Sequence, residues 1–298
     1  MSETREEKNK ELEENLRKEE KKDKRKKIGK KILKTIFIIL LIITLSIFYM
    51  HYIGTYGVYV REYKVESKNL PDDFNGFKVV HFSDLHYLTT IKDKEVKKIV
   101  NKINELRPDI VVFTGDLIDN NKEITNDDIK LLTKRLKKIE AKIGMNDIKG
   151  HDDYNNHYEQ VMSETNFKII NNSYELIYYK GNTPILLTGV GSILKNDCDI
   201  DQAFSYSEMD NLYTISLIHE PDITDNIITK YKTNLILAGH SHNGQIRFPK
   251  TNGLLKLEEA KKYPNSKYKL KNTTLFVSNG LGTTNYELRL FNHPSINF

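Results

Sequence analysis

Cysteine is nearly absent from this sequence: Cys198 is the only one among 298 residues. One thiol cannot form an intrachain disulfide, so no bridge indicates the redox compartment. A single cysteine also excludes a zinc site built on several thiolates. A metal centre in this chain would therefore depend on nitrogen and oxygen ligands.

An excess of charge of one sign is missing from most of the chain. Residues 1–34 contain 14 Lys or Arg and 9 Asp or Glu, a net charge of +5, whereas residues 35–298 contain 32 of each sign. A nucleic-acid-binding domain normally has a basic face. The neutral domain gives no support for such a face, so we expect no nucleic acid partner and disfavour a nuclease.

Charged side chains are missing altogether from residues 35–60. Residues 36–43 are strongly apolar on all sides, and the segment exceeds the roughly 20 mostly apolar residues that span a bilayer. Its tyrosines are typical of a membrane interface. The long charged leader and the lack of an Ala-x-Ala pattern argue against a cleaved signal peptide. We therefore predict a retained transmembrane anchor over residues 35–60.

The charges that flank the anchor predict its orientation. Eleven Lys or Arg lie within residues 17–34, whereas only three lie within residues 61–68. By the positive-inside rule, residues 1–34 form a charged cytoplasmic tail and residues 61–298 lie outside the cytoplasm. We expect a single-pass protein of the cell membrane.

The apolar pattern predicts an α/β fold for residues 61–298. Residues 77–83 and 110–114 are typical of strands, and residues 94–106 and 126–139 have the 3.6-residue period of amphipathic helices. Strands outnumber helices further along the chain, which favours an α/β sandwich of mixed sheets. The later predicted strands are 142–148, 168–171, 174–180, 184–190, 213–218, 234–238, 244–248, 273–278 and 286–291, with helices near 154–164 and 222–230.

Histidine and aspartate recur where the apolar runs end. Leu235–Ala238 is followed by Gly239-His240-Ser241-His242, which delivers two imidazoles to one strand end. Imidazole and carboxylate are common ligands of transition metals. Because ligands from the carboxyl ends of different strands converge on one edge of an α/β sheet, we predict a two-metal hydrolytic centre there. The other predicted strand ends carry Asp84, His86, Asp116 and His219.

These motifs, in this order, resemble those of the calcineurin-like metallophosphoesterases. The resemblance covers about residues 77–296. Residues 239–249 and 278–283 are similar to a membrane-associated branch of that family, which includes the YaeI and YkuE phosphoesterases. The ordered set is Asp84-x-His86, Gly115-Asp116, Gly150-His151-Asp152-Asp153, His219 and Gly239-His240-Ser241-His242.

The resemblance implies a sandwich of two mixed β-sheets flanked by helices, two divalent metal ions and a phosphoester substrate. It implies that Asp116 bridges the two metals. Asp84, His86 and His242 would complete one metal site, and His219 and His240 the other. Such mixed ligands suit manganese, iron, zinc or nickel.

The middle motif departs from the family pattern, Gly-Asn-His-Asp or Gly-Asn-His-Glu, in which the Asn ligates a metal and the His assists the leaving group. This chain has Lys149-Gly150-His151-Asp152-Asp153-Tyr154. In one alignment His151 is the catalytic imidazole and Gly150 replaces the Asn. In the other alignment, His151 replaces the Asn, and Asp152 replaces the His as the general acid that donates the proton. We favour the first, because an aspartate beside two cations is a poor proton donor. His157 is a weaker third candidate for the imidazole.

Either alignment predicts reduced activity rather than loss of metal binding. The expected function is a membrane-anchored phosphoesterase that hydrolyses a phosphodiester or a phosphomonoester. Its tether favours a lipid or cell-envelope substrate. The alternative, suggested by the altered motif, is a non-catalytic or regulatory metal-binding ectodomain.

Overall fold

The structure, a computed structural model, describes residues 5–206, 212–249 and 251–298. Residues 1–4 of the predicted tail lie outside the described residues. The chain forms two units, residues 1–49 and residues 50–298, which are described in turn.

The first unit is one long helix. Helix α1 spans Arg5–Phe48, and a π-helical turn continues it over Tyr49–Ile53, the last residues of which belong to the second unit. Its apolar stretch is long and apolar enough to cross a membrane, and none of that stretch is buried within the protein. An apolar helix that nothing covers needs another apolar phase around it. The predicted anchor thus coincides with helix through Ile53, and the charged tail is helical from Arg5.

Two six-stranded mixed sheets form the centre of the second unit. The first sheet has the order β1-β12-β2-β3-β4-β5, and only the β12–β2 pair in it is antiparallel. Its strands are β1 (Tyr59–Arg61), β2 (Val79–Phe82), β3 (Ile110–Phe113), β4 (Gly144–Asp147), β5 (Phe167–Ile169) and β12 (Ser295–Asn297).

The second sheet has the order β10-β11-β9-β8-β7-β6. Its outer pairs, β10–β11 and β6–β7, are antiparallel, and its inner pairs are parallel. Its strands are β6 (Ser173–Ile177), β7 (Ile185–Gly189), β8 (Thr214–Ile218), β9 (Leu235–Ala238), β10 (Lys267–Leu270) and β11 (Thr273–Val277).

Three apolar layers hold the two sheets and their helices together. Alternate residues of both sheets, such as Val112 and Leu237, meet in a buried cluster between the sheets. The first sheet packs its other face on α2 (Asp93–Leu106), α3 (Asn126–Leu136) and α4 (Asn156–Ser163). The second sheet packs on α5 (Ile200–Ala203) and α6 (Thr224–Lys230). The predicted sandwich of two mixed sheets flanked by helices is confirmed.

The amphipathic pattern explains α2. Val96, Ile99, Val100 and Ile103 are the buried residues of this helix, at the spacing of one helical face. The helix ends where Arg107 adopts a left-handed conformation, and Pro108 follows, which disfavours a helical conformation in the residue before it.

Two predicted strands are not strands in the structure. Residues 242–244 form a short 3₁₀ turn, and Ile246 makes one isolated bridge to Leu290, so neither 244–248 nor 286–291 forms a ladder. The side chain of Gln245 explains part of this, because it bonds to backbone atoms of Thr284 and Tyr286. The side chain of Gln245 thus makes hydrogen bonds to backbone groups that a neighbouring strand would otherwise make.

His81 lies inside the sandwich on β2 and is 1% exposed. Its Nε2 lies 2.9 Å from Thr114 Oγ1, and its Nδ1 lies 3.2 Å from Asn297 Nδ2. Burial disfavours the charged ring and lowers the pKa of His81 to about 3.

We expect His81 to make the fold sensitive to acid. An unfolded histidine titrates near a pKa of about 6.5, whereas the folded pKa of His81 is about 3. Between these values the unfolded chain binds one more proton, so stability falls as the pH falls through this window. His81→Gln should reduce that slope by up to about 1.4 kcal/mol per pH unit.

The measurement is the free energy of unfolding of the full chain in detergent at several pH values within this window. His157→Gln, a change at an exposed histidine of α4, controls for loss of an imidazole. Equal slopes for the wild type and His81→Gln would contradict the prediction.

Candidate metal centre

The residues that follow the parallel strands have unusual backbone conformations. Asp84 and His86 come after β2, Asp116 after β3, and His240 and His242 after β9, and all five have a positive φ, between 40° and 65°. Such conformations are costly for residues with a Cβ and tend to occur at functional sites. They end each strand abruptly and leave these five side chains close together.

Asp84, His86 and His242 form one cluster, in which the possible ligand atoms lie within 4.8 Å of one another. His86 Nε2 lies 3.2 Å from His242 Nε2, and His242 Nε2 lies 3.6 Å from Asp84 Oδ1. The three side chains are buried. The backbone N–H of His240 donates to Asp84 Oδ1 at 2.9 Å and fixes that carboxylate.

Asp116, His151, His219 and His240 form a second cluster with the same 4.8 Å limit. Asp116 Oδ2 lies 3.0 Å from His151 Nδ1 and 3.1 Å from His219 Nε2. It also lies 3.7 Å from His86 Nε2 of the first cluster. A single carboxylate oxygen therefore faces imidazoles of both clusters.

Backbone carbonyls orient two of these imidazoles. His219 Nδ1 donates to Thr114 O at 2.6 Å, and His240 Nε2 donates to Glu258 O at 2.7 Å. Because a carbonyl only accepts, these ring nitrogens carry the protons. His240 Nδ1 is left as a free lone pair within the cluster, and His219 Nε2 faces Asp116 Oδ2, so both nitrogens are turned toward the place where a metal would bind.

Two buried polar atoms of the second cluster fit a cation. Among the described residues, Asp116 Oδ2 and His240 Nδ1 have no hydrogen-bond partner. A buried polar atom without a partner costs free energy. Two lone pairs that face the same space would be satisfied by a divalent ion, so the donor set fits a metal.

The charges in the second cluster also favour a cation. Burial alone would raise the pKa of Asp116, but His219 and His151 hold it well below its usual range. Burial alone would lower the pKa of His151, but Asp116 raises it to about 9. The metal-free cluster therefore holds protons, and we expect metal binding to displace them.

The loop after β4 packs directly on Asp116. A Cβ added at Gly150 would lie 2.5 Å from the backbone N of Asp116 and 2.7 Å from His219 Cε1. Asp153, which is fully buried, accepts backbone N–H bonds from Asp116, Leu117 and Gly150 at 2.7 to 2.8 Å. Gly150 and Asp153 thus fix the loop, and His151 and Asp152 between them face the clusters.

The structure brings all seven sequence-predicted site residues together. His151 lies in the second cluster, and the third candidate, His157, is exposed on α4 and belongs to neither cluster. Asp152 forms a further possible metal-binding group with His86 and Asp116. The seven predicted residues are Asp84, His86, Asp116, His151, His219, His240 and His242.

Arg289 is a site residue that sequence reasoning missed. It is fully buried, and its Nη2 lies 3.4 Å from His242 Nδ1. The same nitrogen donates to Asn279 O at 2.9 Å and Gly280 O at 3.0 Å. A lone arginine far from the other motifs gives no sequence signal of burial, since arginine is usually exposed.

The chain belongs to the calcineurin-like phosphoesterases, since the model of that family matches residues 77–244. Membership of this family supports a hydrolase that acts on phosphoesters, with His and Asp groups that could hold metal.

Several curated proteins are similar to it. The uncharacterized metallophosphoesterase YkuE of Bacillus subtilis is 31% identical over 252 residues, 83% of this chain and 87% of that protein. YkoQ of the same organism, also an uncharacterized metallophosphoesterase, is 26% identical over 74% of this chain and 82% of its own. A transmembrane protein with metallophosphoesterase domain from Danio rerio is 25% identical over 64% of this chain and 46% of its own length.

The contact between Gly150 and Asp116 gives a test of the loop geometry. Gly150→Ala should displace Asp116 and destabilise the fold by about 1–3 kcal/mol, as overpacking does. It should also weaken binding of Mn²⁺, measured by calorimetry on the full chain in detergent. Gly144→Ala is the matched control, because a Cβ there meets no atom within 4 Å. Equal stability and metal affinity in both variants would show that the loop does not pack as described.

Proposed function

We propose that this chain is a membrane-anchored, two-metal phosphoesterase in which His151 is a metal ligand. One observation carries the proposal: Asp116 Oδ2 is buried, has no hydrogen-bond partner among the described residues, and lies within 3.7 Å of imidazole nitrogens from both clusters. An oxygen in this position fits a carboxylate that two cations share.

The two clusters supply ligands for two ions. Asp84, His86 and His242 would hold one ion, and His151, His219 and His240 the other, with Asp116 common to both. Nitrogen and oxygen ligands of this kind suit manganese, iron, zinc or nickel. When bound, a pair of divalent cations activates water and neutralises charge on a phosphoryl group.

The packing of the loop supports the second alignment of the middle motif. The first alignment places Gly150 where an asparagine belongs, but there is no room for a Cβ at this position. The second alignment places His151 at the position of the metal-binding Asn. It places Asp153 at the position of the Asp or Glu that ends the family pattern. His151 faces Asp116, and Asp153 accepts three backbone N–H bonds. We therefore assign His151 to metal binding rather than to proton donation.

Asp152 then takes the position of the imidazole that assists the leaving group. Its backbone N–H donates to Asp116 Oδ1 at 2.9 Å, and its carboxylate accepts from Asn120 Nδ2 at 2.8 Å. A cavity of about 470 Å³ adjoins it, lined in part by Asp119, Asn120 and Asn155. Asp152 thus contacts both Asp116 and Asn120, a residue that lines this cavity.

The membrane assignment rests on α1 and on charge. One helix passes the length and composition limits of a membrane span, and relatives from Danio rerio and Bos taurus are named as transmembrane proteins. The basic residues within 17–34 support a cytoplasmic N-terminus and an extracytoplasmic domain. The neutral charge of residues 35–298 supports a substrate other than nucleic acid.

Hydrolysis is the direct test. With Mn²⁺, the full chain in detergent should hydrolyse bis(4-nitrophenyl) phosphate, measured by release of 4-nitrophenolate. Asp116→Ala should lower turnover on the order of 10²-fold or more, because the shared ligand that positions both cations is lost. Glu159→Ala, a change at a half-exposed carboxylate on α4, is the control. If the wild type shows no more turnover than Asp116→Ala with any common divalent metal, the proposed phosphoesterase activity is wrong.

Restoring the family motif tests the assignment of His151. The double change His151→Asn and Asp152→His keeps a neutral ligand and supplies an imidazole beside the leaving group. Turnover should rise on the order of 10²-fold as a general acid is regained, while metal analysis still finds two ions per chain. Unchanged turnover together with a metal content near zero would favour the non-catalytic metal-binding ectodomain instead.

A further inference from the structure

Three segments of the second unit lie side by side next to the metal centre. Arg289 N donates to Met50 O at 3.0 Å, and His51 Nδ1 lies 2.8 Å from Glu287 O. Arg247 N donates to Leu290 O at 3.1 Å. Residues 284–291 therefore adjoin residues 50–56 and also adjoin residues 245–254 except residue 250.

These segments carry many exposed apolar side chains. Seven large ones are each between 49% and 64% exposed. Large groups of exposed apolar side chains usually mark an interaction site or a membrane contact. We call this group the apolar face; it consists of Tyr52, Ile53, Tyr56, Phe248, Leu254, Tyr286 and Phe291.

The apolar face borders the metal centre. Asn292 Nδ2 donates to His242 O at 2.6 Å, and Arg289 reaches the ring of His242. Lys122, which lines the cavity beside Asp152, pairs with Glu287 at 2.8 Å. Within residues 284–291, Arg289 thus contacts the ring of His242, and Glu287 pairs with a residue that lines the cavity.

The apolar face begins close in sequence to the end of the apolar helix. The helical stretch runs through Ile53, and Met50 and His51 are already bonded to the second unit. Few residues of sequence separate Phe48, the last residue of α1, from Tyr52, the first residue of the apolar face. Tyrosine and phenylalanine are also the residues that concentrate at a membrane–water interface.

We propose that the apolar face lies in the headgroup layer of the membrane that holds the anchor, and that the metal centre acts on phosphoesters carried by lipids at that surface. The occupant of this face is the bilayer itself. An apolar face at the interface is bound by burial of its side chains at the headgroup boundary. This inference rests on the proposed phosphoesterase activity and specifies its substrate class.

The experiment compares two substrates with the same leaving group. The full chain is reconstituted in phosphatidylcholine vesicles and assayed with bis(4-nitrophenyl) phosphate in solution and with diacylglycerophospho-4-nitrophenol in the bilayer. Leu254→Ser, Tyr286→Ser and Phe291→Ser together should lower turnover of the lipid at least about tenfold, because they remove apolar burial at the interface. Turnover of the soluble diester should stay unchanged, because none of the three is a proposed ligand.

The matched control is Leu131→Ser, Ile143→Ser and Tyr178→Ser, three exposed apolar residues outside the three segments. An equal loss in both triple variants, or no loss in either, would overturn the proposal. If the chain hydrolyses the soluble diester but not the lipid diester, the proposed lipid substrate is wrong and the proposed phosphoesterase activity is still supported. Hydrolysis of neither would reject the phosphoesterase itself.

A second measurement does not depend on activity. The chain has no tryptophan, so Phe291→Trp introduces a single fluorescent reporter on the apolar face. Its emission should shift to the blue in vesicles and be quenched by brominated phosphatidylcholine. Tyr178→Trp should show neither effect. If brominated lipid does not quench the tryptophan at residue 291, the apolar face does not contact the membrane. This conclusion holds whatever turnover the triple variant shows.

Discussion

The contact of the Asp116 carboxylate with imidazoles from both clusters is the interaction on which the centre depends. Its Oδ2 lies 3.0 Å from His151 Nδ1 and 3.1 Å from His219 Nε2, on the side that also faces His86. Its Oδ1 accepts from the Asp152 backbone. Each cluster combines residues that follow strands of both sheets, so the relative position of the two sheets sets the geometry within each cluster.

The tight packing around Asp116 explains the composition of the middle loop. Gly150 is needed because its Cα lies against Asp116 and His219, and Asp153 is needed because three backbone N–H groups converge on it. In the second alignment of the middle motif, the positions at which this chain differs from the family pattern are His151 and Asp152, which lie between Gly150 and Asp153.

The local sequence was sufficient for elements whose side-chain pattern is set by burial. Buried strands such as β3 and β9 are short apolar runs, and α2 has one apolar face. The order of apolar and polar residues in each element therefore matches which of its side chains are buried. Patterns near 244–248 and 286–291 predicted strands incorrectly, because side-chain bonds from Gln245 to residues 284 and 286 compete with backbone pairing. Short strands such as β12 were missed, since three residues hold too little pattern.

By itself the sequence determined which residue types stand at the strand ends, and their order was enough to predict a metallophosphoesterase with an apolar anchor. The tertiary structure decided how those residues lie relative to one another. The lack of room beside Gly150 favours one alignment of the middle motif, and the buried Arg289 beside His242 became visible only with its surroundings. The reason is that distances between residues far apart in the chain depend on how the two sheets pack, and no local pattern of side chains encodes them.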